Sequence, residues 1–337
     1  MAKHNGKVRW GVLGVAGIAV RKVIPAMQLG SFSQITAIAS RDLSRAQEAA
    51  KSLGIEKAFG SYEDLIADPD IDAIYNPLPN HMHVEWSIRA AEAGKHVLCE
   101  KPIGLSTAEA RDLLNAEKRT GVKIGEAFMV RTHPQWVRAR EIVQSGEIGE
   151  LRSILGFFSY FNADPENIRN IPDFGGGGVM DIGCYPIFTS RMVTGTEPVR
   201  VVSLMERDPA MLTDRLTSAM LAFPGVQAIF TCSTQLVPYQ RMQFFGTQGR
   251  LDVEIPFNAP PDRPCRLFVD TGADLFGGGI REESLPVCDQ YTVQGDAFSQ
   301  AILNGGAVPV PIESSIKNMA VIEAIFRSSQ SGHWENV

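Results

Sequence analysis

Short apolar runs alternate with longer amphipathic stretches over the first third of the chain. Residues 8–13, 35–39, 72–75, 96–99 and 123–128 each read as a buried strand. Helix-like segments separate them: one ending near Gln28, then 44–53, 62–67, 81–93 and 107–119, with Gly54, Gly94 and Gly121 as stop signals. Strand alternating with helix predicts a right-handed βαβ series and a doubly wound parallel sheet, an α/β domain over residues 1–128. After residue 128 the rhythm changes. One further helix spans 134–145. Strand-like runs at 151–161, 199–205, 218–223, 226–234, 240–246, 249–253 and 266–269 then follow with few helices between them. This half, 129–337, predicts an α+β domain with a large open, mostly antiparallel sheet. Residues 313–329 read as a helix able to pack back on the first domain. A large sheet with one uncovered face needs a partner, so a homodimer or higher homo-oligomer through that sheet is expected.

Charge and composition narrow the class. The chain has 337 residues, 44% hydrophobic and 21% charged, with a formal charge of −6. No Lys/Arg block runs through it, which argues against nucleic acid or an anionic membrane as partner, and no apolar run reaches the length of a membrane span. Residues 1–10 are polar and basic and lack the apolar core of a secretory leader. The five cysteines, Cys99, Cys184, Cys232, Cys265 and Cys288, are scattered with no Cys-x-x-Cys. Together these features predict a reduced, cytoplasmic chain with neither a disulfide framework nor a metal site.

Three stretches carry candidate chemistry. The first strand runs into Gly14-Val15-Ala16-Gly17-Ile18-Ala19 and then a helix. Small residues there let backbone approach a pyrophosphate, and the helix N-terminus offers free N–H groups. Alanine stands at two of the three usual glycine positions, so an ordinary strand-to-helix turn remains open. The second strand ends in Ser40-Arg41, where an NAD-specific fold would place an acid; a hydroxyl and a guanidinium suit a 2′-phosphate, making NADP a better fit than NAD. The third strand enters Asn76-Pro77-Leu78-Pro79-Asn80, a rigid lip over the ligand crevice, with His83 just beyond. The strand at 96–99 ends abruptly in Glu100-Lys101-Pro102. Charge is costly in a core, so this is either a strand end reaching solvent or a working site. In the second half, four glycines (175–178) lead into Asp181 and Tyr185, which share one face if that run is helical. They suit either a substrate hydroxyl or a plain buried hydrogen bond; Arg169 lies just upstream.

Taken together and in this order, the Gly14 turn, Asn80-x-x-His83, Gly94-Lys95-His96-Val97 into Glu100-Lys101-Pro102, and the glycine-led Asp181-x-x-x-Tyr185 resemble the glucose–fructose oxidoreductase / inositol dehydrogenase / rhizopine catabolism family (Gfo/Idh/MocA). The tyrosine at 185 is most similar to the branch with dimeric dihydrodiol dehydrogenase, NADP-linked D-xylose dehydrogenase and sugar 3-ketoreductases. The resemblance implies a Rossmann domain, a dimerising C-terminal sheet, and hydride transfer between NADP and a hydroxyl or carbonyl carbon of a sugar, polyol or cyclic diol. It implies Lys101 and Tyr185 as the proton relay and Asp181, with Arg169, as ligands of substrate hydroxyls. It places Leu78, Asn80, His83, Glu100 and Lys101 alongside the cofactor and suggests a cis bond before Pro102. A phenol with a pKa of about 10 is a poor base, and a neighbouring ammonium would favour its anion. Two alternatives stand beside this reading: reduction of a ketosugar as the working direction, and a non-catalytic, NADP-responsive regulator, which would have no use for Lys101 and Tyr185.

Overall fold

A computed structural model describes residues 6–337. The chain divides into two units: the first runs to Thr132 and resumes over Asp289–Ile316, and the second comprises His133–Cys288 and Lys317–Val337.

In the first unit, six strands lie in the order β3-β2-β1-β4-β5-β6: β1 (Val8–Leu13), β2 (Ser33–Ala39), β3 (Lys57–Phe59), β4 (Ala73–Asn76), β5 (His96–Cys99) and β6 (Ile124–Glu126). Every pairing is parallel, from β1↔β2 through β5↔β6, so each strand's carboxyl end lies on one edge. The five strands other than the edge strand β3 are buried nearly throughout, as a sheet covered on both faces requires. The covering helices are α1 (Ile24–Gln28), α2 (Leu43–Leu53), α3 (Tyr62–Ala67), α4 (His83–Glu92) and α5 (Thr107–Thr120). Asp42, Ser61 and Ser106 cap three of them by accepting from main-chain N–H groups one turn in.

The second unit is built on nine strands in the order β14-β13-β12-β11-β7-β10-β9-β8-β15. They are β7 (Leu151–Phe161), β8 (Arg200–Arg207), β9 (Asp214–Phe223), β10 (Val226–Ser233), β11 (Gln235–Gly246), β12 (Arg250–Val253), β13 (Cys265–Asp270), β14 (Ile280–Leu285) and β15 (Glu335–Asn336). All neighbours run antiparallel except β7 and β10. Helices α6 (Pro134–Gln144) and α7 (Cys184–Thr194) belong to this unit. One face of the sheet is apolar and buried: Val201, Leu221, Ala228 and Ile154 lie in adjacent register and are almost inaccessible. The opposite face carries a second row one residue on, Val202, Met220, Ile229 and Leu155, which stays partly exposed.

Two helices complete the chain. α8 (Gln290–Asn304) returns to the first unit, where Trp10 Nε1 donates to Ser299 Oγ at 3.1 Å and Asp296 accepts from the Ser31 and Phe32 amides. α9 (Ile312–Ser331) begins in the first unit and ends in the second. The expected 313–329 helix is this one. No helix among the described residues is long and apolar enough to cross a membrane, and no cluster of His, Cys, Asp or Glu among them could hold a metal ion.

Candidate active site

In the first unit the candidate residues gather at the carboxyl edge of the parallel sheet. Gly14 follows β1 with φ +86°, a conformation that favours glycine, and its N–H donates to the Ala39 carbonyl at 2.8 Å. A Cβ at Gly14 would lie 3.1 Å from a Leu78 methyl and 3.6 Å from the Tyr62 hydroxyl. The bare backbone therefore faces the lip after β4 on one side and α3 on the other. Val15, Ala16 and Ile18 are half-exposed, Gly17 exposed and Ala19 buried. Ser40 is buried, its hydroxyl accepting from the Asp42 amide. Arg41 is exposed and hydrogen-bonds the Tyr62 phenol; Arg45 adds its charge to the same spot. Two guanidinium groups thus flank the phenol beside the Gly14 turn, a setting for a phosphate.

The turn after β5 is tied at three consecutive residues. The Lys101 amide donates to Glu100 Oε2 at 3.3 Å. The Pro102 carbonyl lies 2.7 Å from His83 Nδ1. The Ile103 amide donates to Glu126 Oε1 at 2.9 Å. The Lys101–Pro102 peptide is cis, in line with the resemblance. His83, expected beside the cofactor, is 1% exposed, and its Nε2 lies 2.7 Å from the Leu78 carbonyl. It links the lip to the turn through main-chain atoms. Burial, assisted by the charge of Lys101, outweighs the two carbonyls and holds its pKa down to about 4. The ring is neutral above that and carries one N–H, so in either tautomer it donates to one of the two carbonyls and not to both. Glu100 and Lys101 are half-buried, and Asn80 opens the short turn before α4.

In the second unit the glycine run ends in a wide, π-helical turn, Val179–Gly183, which feeds α7. The turn is anchored from β9. Asp214, 1% exposed, accepts from the Val179 amide at 2.7 Å and from the Thr217 hydroxyl at 3.2 Å. Gly177 has φ +120°, and a Cβ there would sit 2.0 Å from Asp214 Oδ1, so the site admits glycine on two separate grounds. The Gly177 amide donates to the Arg169 carbonyl at 2.8 Å, and the Arg169 guanidinium pairs with Asp181 at 3.1 Å. Arg169 is thus held at both ends.

Asp181 is also met from β7, where the Tyr160 phenol donates to its Oδ2 at 2.6 Å. Asp181 lies in the wide turn and Tyr185 in α7, so the simple four-residue helical spacing expected of them is interrupted. Tyr185 is 6% exposed, packed on Phe257 and edge-on to Phe158. Its phenol lies in the field of Arg169. The Asp181 carboxylate raises the Arg169 pKa, while burial and then Asp181 raise that of Tyr160. At neutral pH the cluster therefore holds one cation, one carboxylate and one phenol that keeps its proton. That set can both accept from and donate to the hydroxyls of a polyol.

Tyr160 was missed from the sequence. The signal was its register: Ile154, Phe158 and Tyr160 fall on one face of β7, and the last of them puts a hydroxyl where the apolar face ends. Tyr62 and Asp214 gave no local signal, since each acts on a segment far away in sequence.

Two family models cover most of the chain. The model of the GFO/IDH/MocA oxidoreductase family with NAD-binding Rossmann fold matches residues 8–128, and that of the GFO/IDH/MocA C-terminal domain matches residues 136–252. An uncharacterized oxidoreductase of Rhizobium meliloti is 48% identical over 331 residues, 98% of this chain and 99% of its own. D-xylose 1-dehydrogenase (NADP(+)) 2 of Haloferax volcanii is 39% identical over 327 residues, 96% of this chain and 98% of its own. Among solved structures, a 3-ketoreductase from Actinomadura kijaniata in complex with NADP and TDP-benzene has a TM-score of 0.89 at 31% identity, covering 96% of this chain and 98% of that one.

Proposed function

This chain belongs to the Gfo/Idh/MocA family of oxidoreductases, and from that premise we propose that it is an NADP-dependent dehydrogenase or reductase of a sugar, polyol or cyclic diol. The observation that carries the reading is the place of Lys101. It closes β5 on the sheet edge that also bears the Gly14 turn, where ligands of doubly wound sheets bind. The residues present fit NADP. The bare backbone at Gly14 and the partly exposed turn over residues 15–18, leading to Ala19, suit a pyrophosphate, Ser40 and Arg41 a 2′-phosphate, and Leu78, Asn80 and Glu100 the remaining length.

When bound, the nicotinamide supplies the two-electron hydride chemistry. The chain supplies position and a proton route. Lys101 Nζ is assigned to the reacting oxygen, where a cation stabilises developing negative charge. Tyr185 Oη is assigned to exchange the proton of the reacting hydroxyl. Asp181, set by Tyr160 and Arg169, is assigned to a neighbouring hydroxyl and so fixes which carbon is presented. A neutral polyhydroxylated substrate matches this mixed set of donors and acceptors.

The test is NADPH formation from aldoses, polyols and cyclic diols, and NADPH consumption with the corresponding ketones, for the wild type and Lys101→Met. Turnover by the variant should fall at least ~100-fold, the low end for a positioned proton-transfer group, with NADP binding retained. A Lys101→Met enzyme that turns over normally would reject the assignment.

A further inference from the structure

Glu100 is half-buried, unlike the two other side chains that tie the turn after β5. Its carboxylate has its own anchor. Tyr75, the third residue of β4 and fully buried, donates its phenol O–H to Glu100 Oε1 at 2.7 Å. The register explains how they meet. Tyr75 pairs with Leu98 on β5, and Glu100 lies two residues further, on the same sheet face. The Glu100 amide donates to the Asn76 carbonyl at 3.0 Å, so side chain and main chain are fixed by neighbouring residues of one strand. The other oxygen accepts from the Lys101 amide. A buried tyrosine in the middle of a parallel sheet could as well be phenylalanine, unless its hydroxyl has work to do.

We propose that Tyr75 is a positioning residue for Lys101: its phenol fixes the Glu100 carboxylate, and that carboxylate sets both the main chain and the charge felt at Lys101. Burial, and then the charge of Glu100, push the Tyr75 pKa well above its ordinary value, so the phenol stays a donor across the working pH range. The other titratable groups around the carboxylate come from three elements. On α8, Tyr291 is raised by burial and then by Glu100. On β5, the Cys99 thiol is raised by burial, with Glu100 and Glu126 adding to the shift. On β6, Glu126 is itself committed to the Ile103 amide. Tyr75, with a fixed donor aimed at Oε1, therefore determines how the Glu100 charge is directed.

The catalytic consequence rests on the proposed oxidoreductase activity; the electrostatic one does not, and the experiment reads both. Acetylation of Lys101 by acetic anhydride is followed against pH by peptide mass spectrometry in the wild type and in Tyr75→Phe. The phenylalanine ring keeps the packing and removes one O–H. Released from the phenol, the carboxylate turns more of its charge toward the ammonium, and the midpoint for Lys101 labelling rises by about half a pH unit or more. Turnover falls about 10-fold or more, the scale of one hydrogen bond to a charged group. An unchanged or lowered midpoint overturns the proposal. If the wild type turns over no compound in the panel, the functional reading fails and the labelling midpoint still decides this one. Should Tyr75→Phe not fold, Glu100→Gln reads the same link: removal of the charge lowers the Lys101 midpoint, and a midpoint that does not move overturns the proposal.

Discussion

Replacing Asp214 with asparagine removes a charge from a place where charge is costly. The carboxylate is buried beneath the glycine turn, and burial lifts its pKa from the ordinary 3.8 to about 6, against the pull of the Val179 amide, the Thr217 hydroxyl and the charge of Arg207. The folded chain thus holds this proton more tightly than the unfolded chain does. Between pH 4 and pH 6 the native state binds more protons, so stability falls as pH rises through that window, and above it the loss is constant. A shift of about two units at ~1.4 kcal/mol each makes the loss about 3 kcal/mol. Asparagine retains one oxygen that can accept from both the Val179 amide and the Thr217 hydroxyl, as Oδ2 does now, but it does not titrate. Urea unfolding of both proteins, followed by tryptophan fluorescence from pH 4 to pH 7.5, isolates the effect, because all other titrations cancel in the difference. The variant should gain about 3 kcal/mol relative to wild type across the window. Parallel stability curves would show that Asp214 does not carry a raised pKa and that the anchoring argument has the wrong charge state.

Two further predictions concern the cofactor and the outer sheet face. Arg41→Ala should weaken NADP binding by about 10- to 100-fold, the scale of a lost charge-assisted contact, and leave NAD binding nearly unchanged; tryptophan quenching titrations measure both, and equal losses for the two nucleotides would remove Arg41 from the 2′-phosphate. The row Val202, Met220, Ile229 and Leu155 crosses four strands as a partly exposed apolar band, so the chain should sediment as a dimer or larger species at micromolar concentration. Ile229→Asp, near the middle of that row, should weaken self-association about 30-fold or more if it lies at the centre of the contact, and a wild type that sediments as a monomer would sink the idea.

Much of the first unit was legible because its physics is local. A buried parallel strand must be a continuous apolar run, and a capped amphipathic helix must follow it, so β1, β2, β4, β5 and β6 stood out. β3 did not: its three residues, Lys57, Ala58 and Phe59, are all half-exposed at the sheet edge. β14 hid for a related reason, since Arg281, Glu282 and Glu283 keep an edge strand charged. α8 was missed because Gln290, Gln294 and Ser299 sit on its buried face and break the apolar period. The candidate site divides in the same way. Lys101, Asp181 and Tyr185 are conspicuous in their own stretches. Tyr75, Tyr160 and Asp214 matter through partners 25, 21 and 35 residues distant; strand register brings Tyr75 to Glu100, and the wide turn at 179–183 brings the other two partners to β7 and β9.

The glycine run also constrains the order in which this chain can change. Gly177 is confined by its own backbone angle and remains glycine whatever surrounds it. Gly178 has an ordinary helical φ of −64°, and what crowds a side chain there is Asp214, whose Oδ2 and main-chain oxygen would lie 3.1 Å and 3.3 Å from a Cβ. Position 178 is therefore tight for alanine while Asp214 is in place and less so after residue 214 has shortened or turned away, when only the main-chain oxygen still crowds it. The two substitutions are epistatic: their effects do not add, and the path through 214 first is the easier one. Two adjacent glycines that look interchangeable in the sequence thus answer to different causes, one to the chain's own torsion and the other to a strand that begins 36 residues further on.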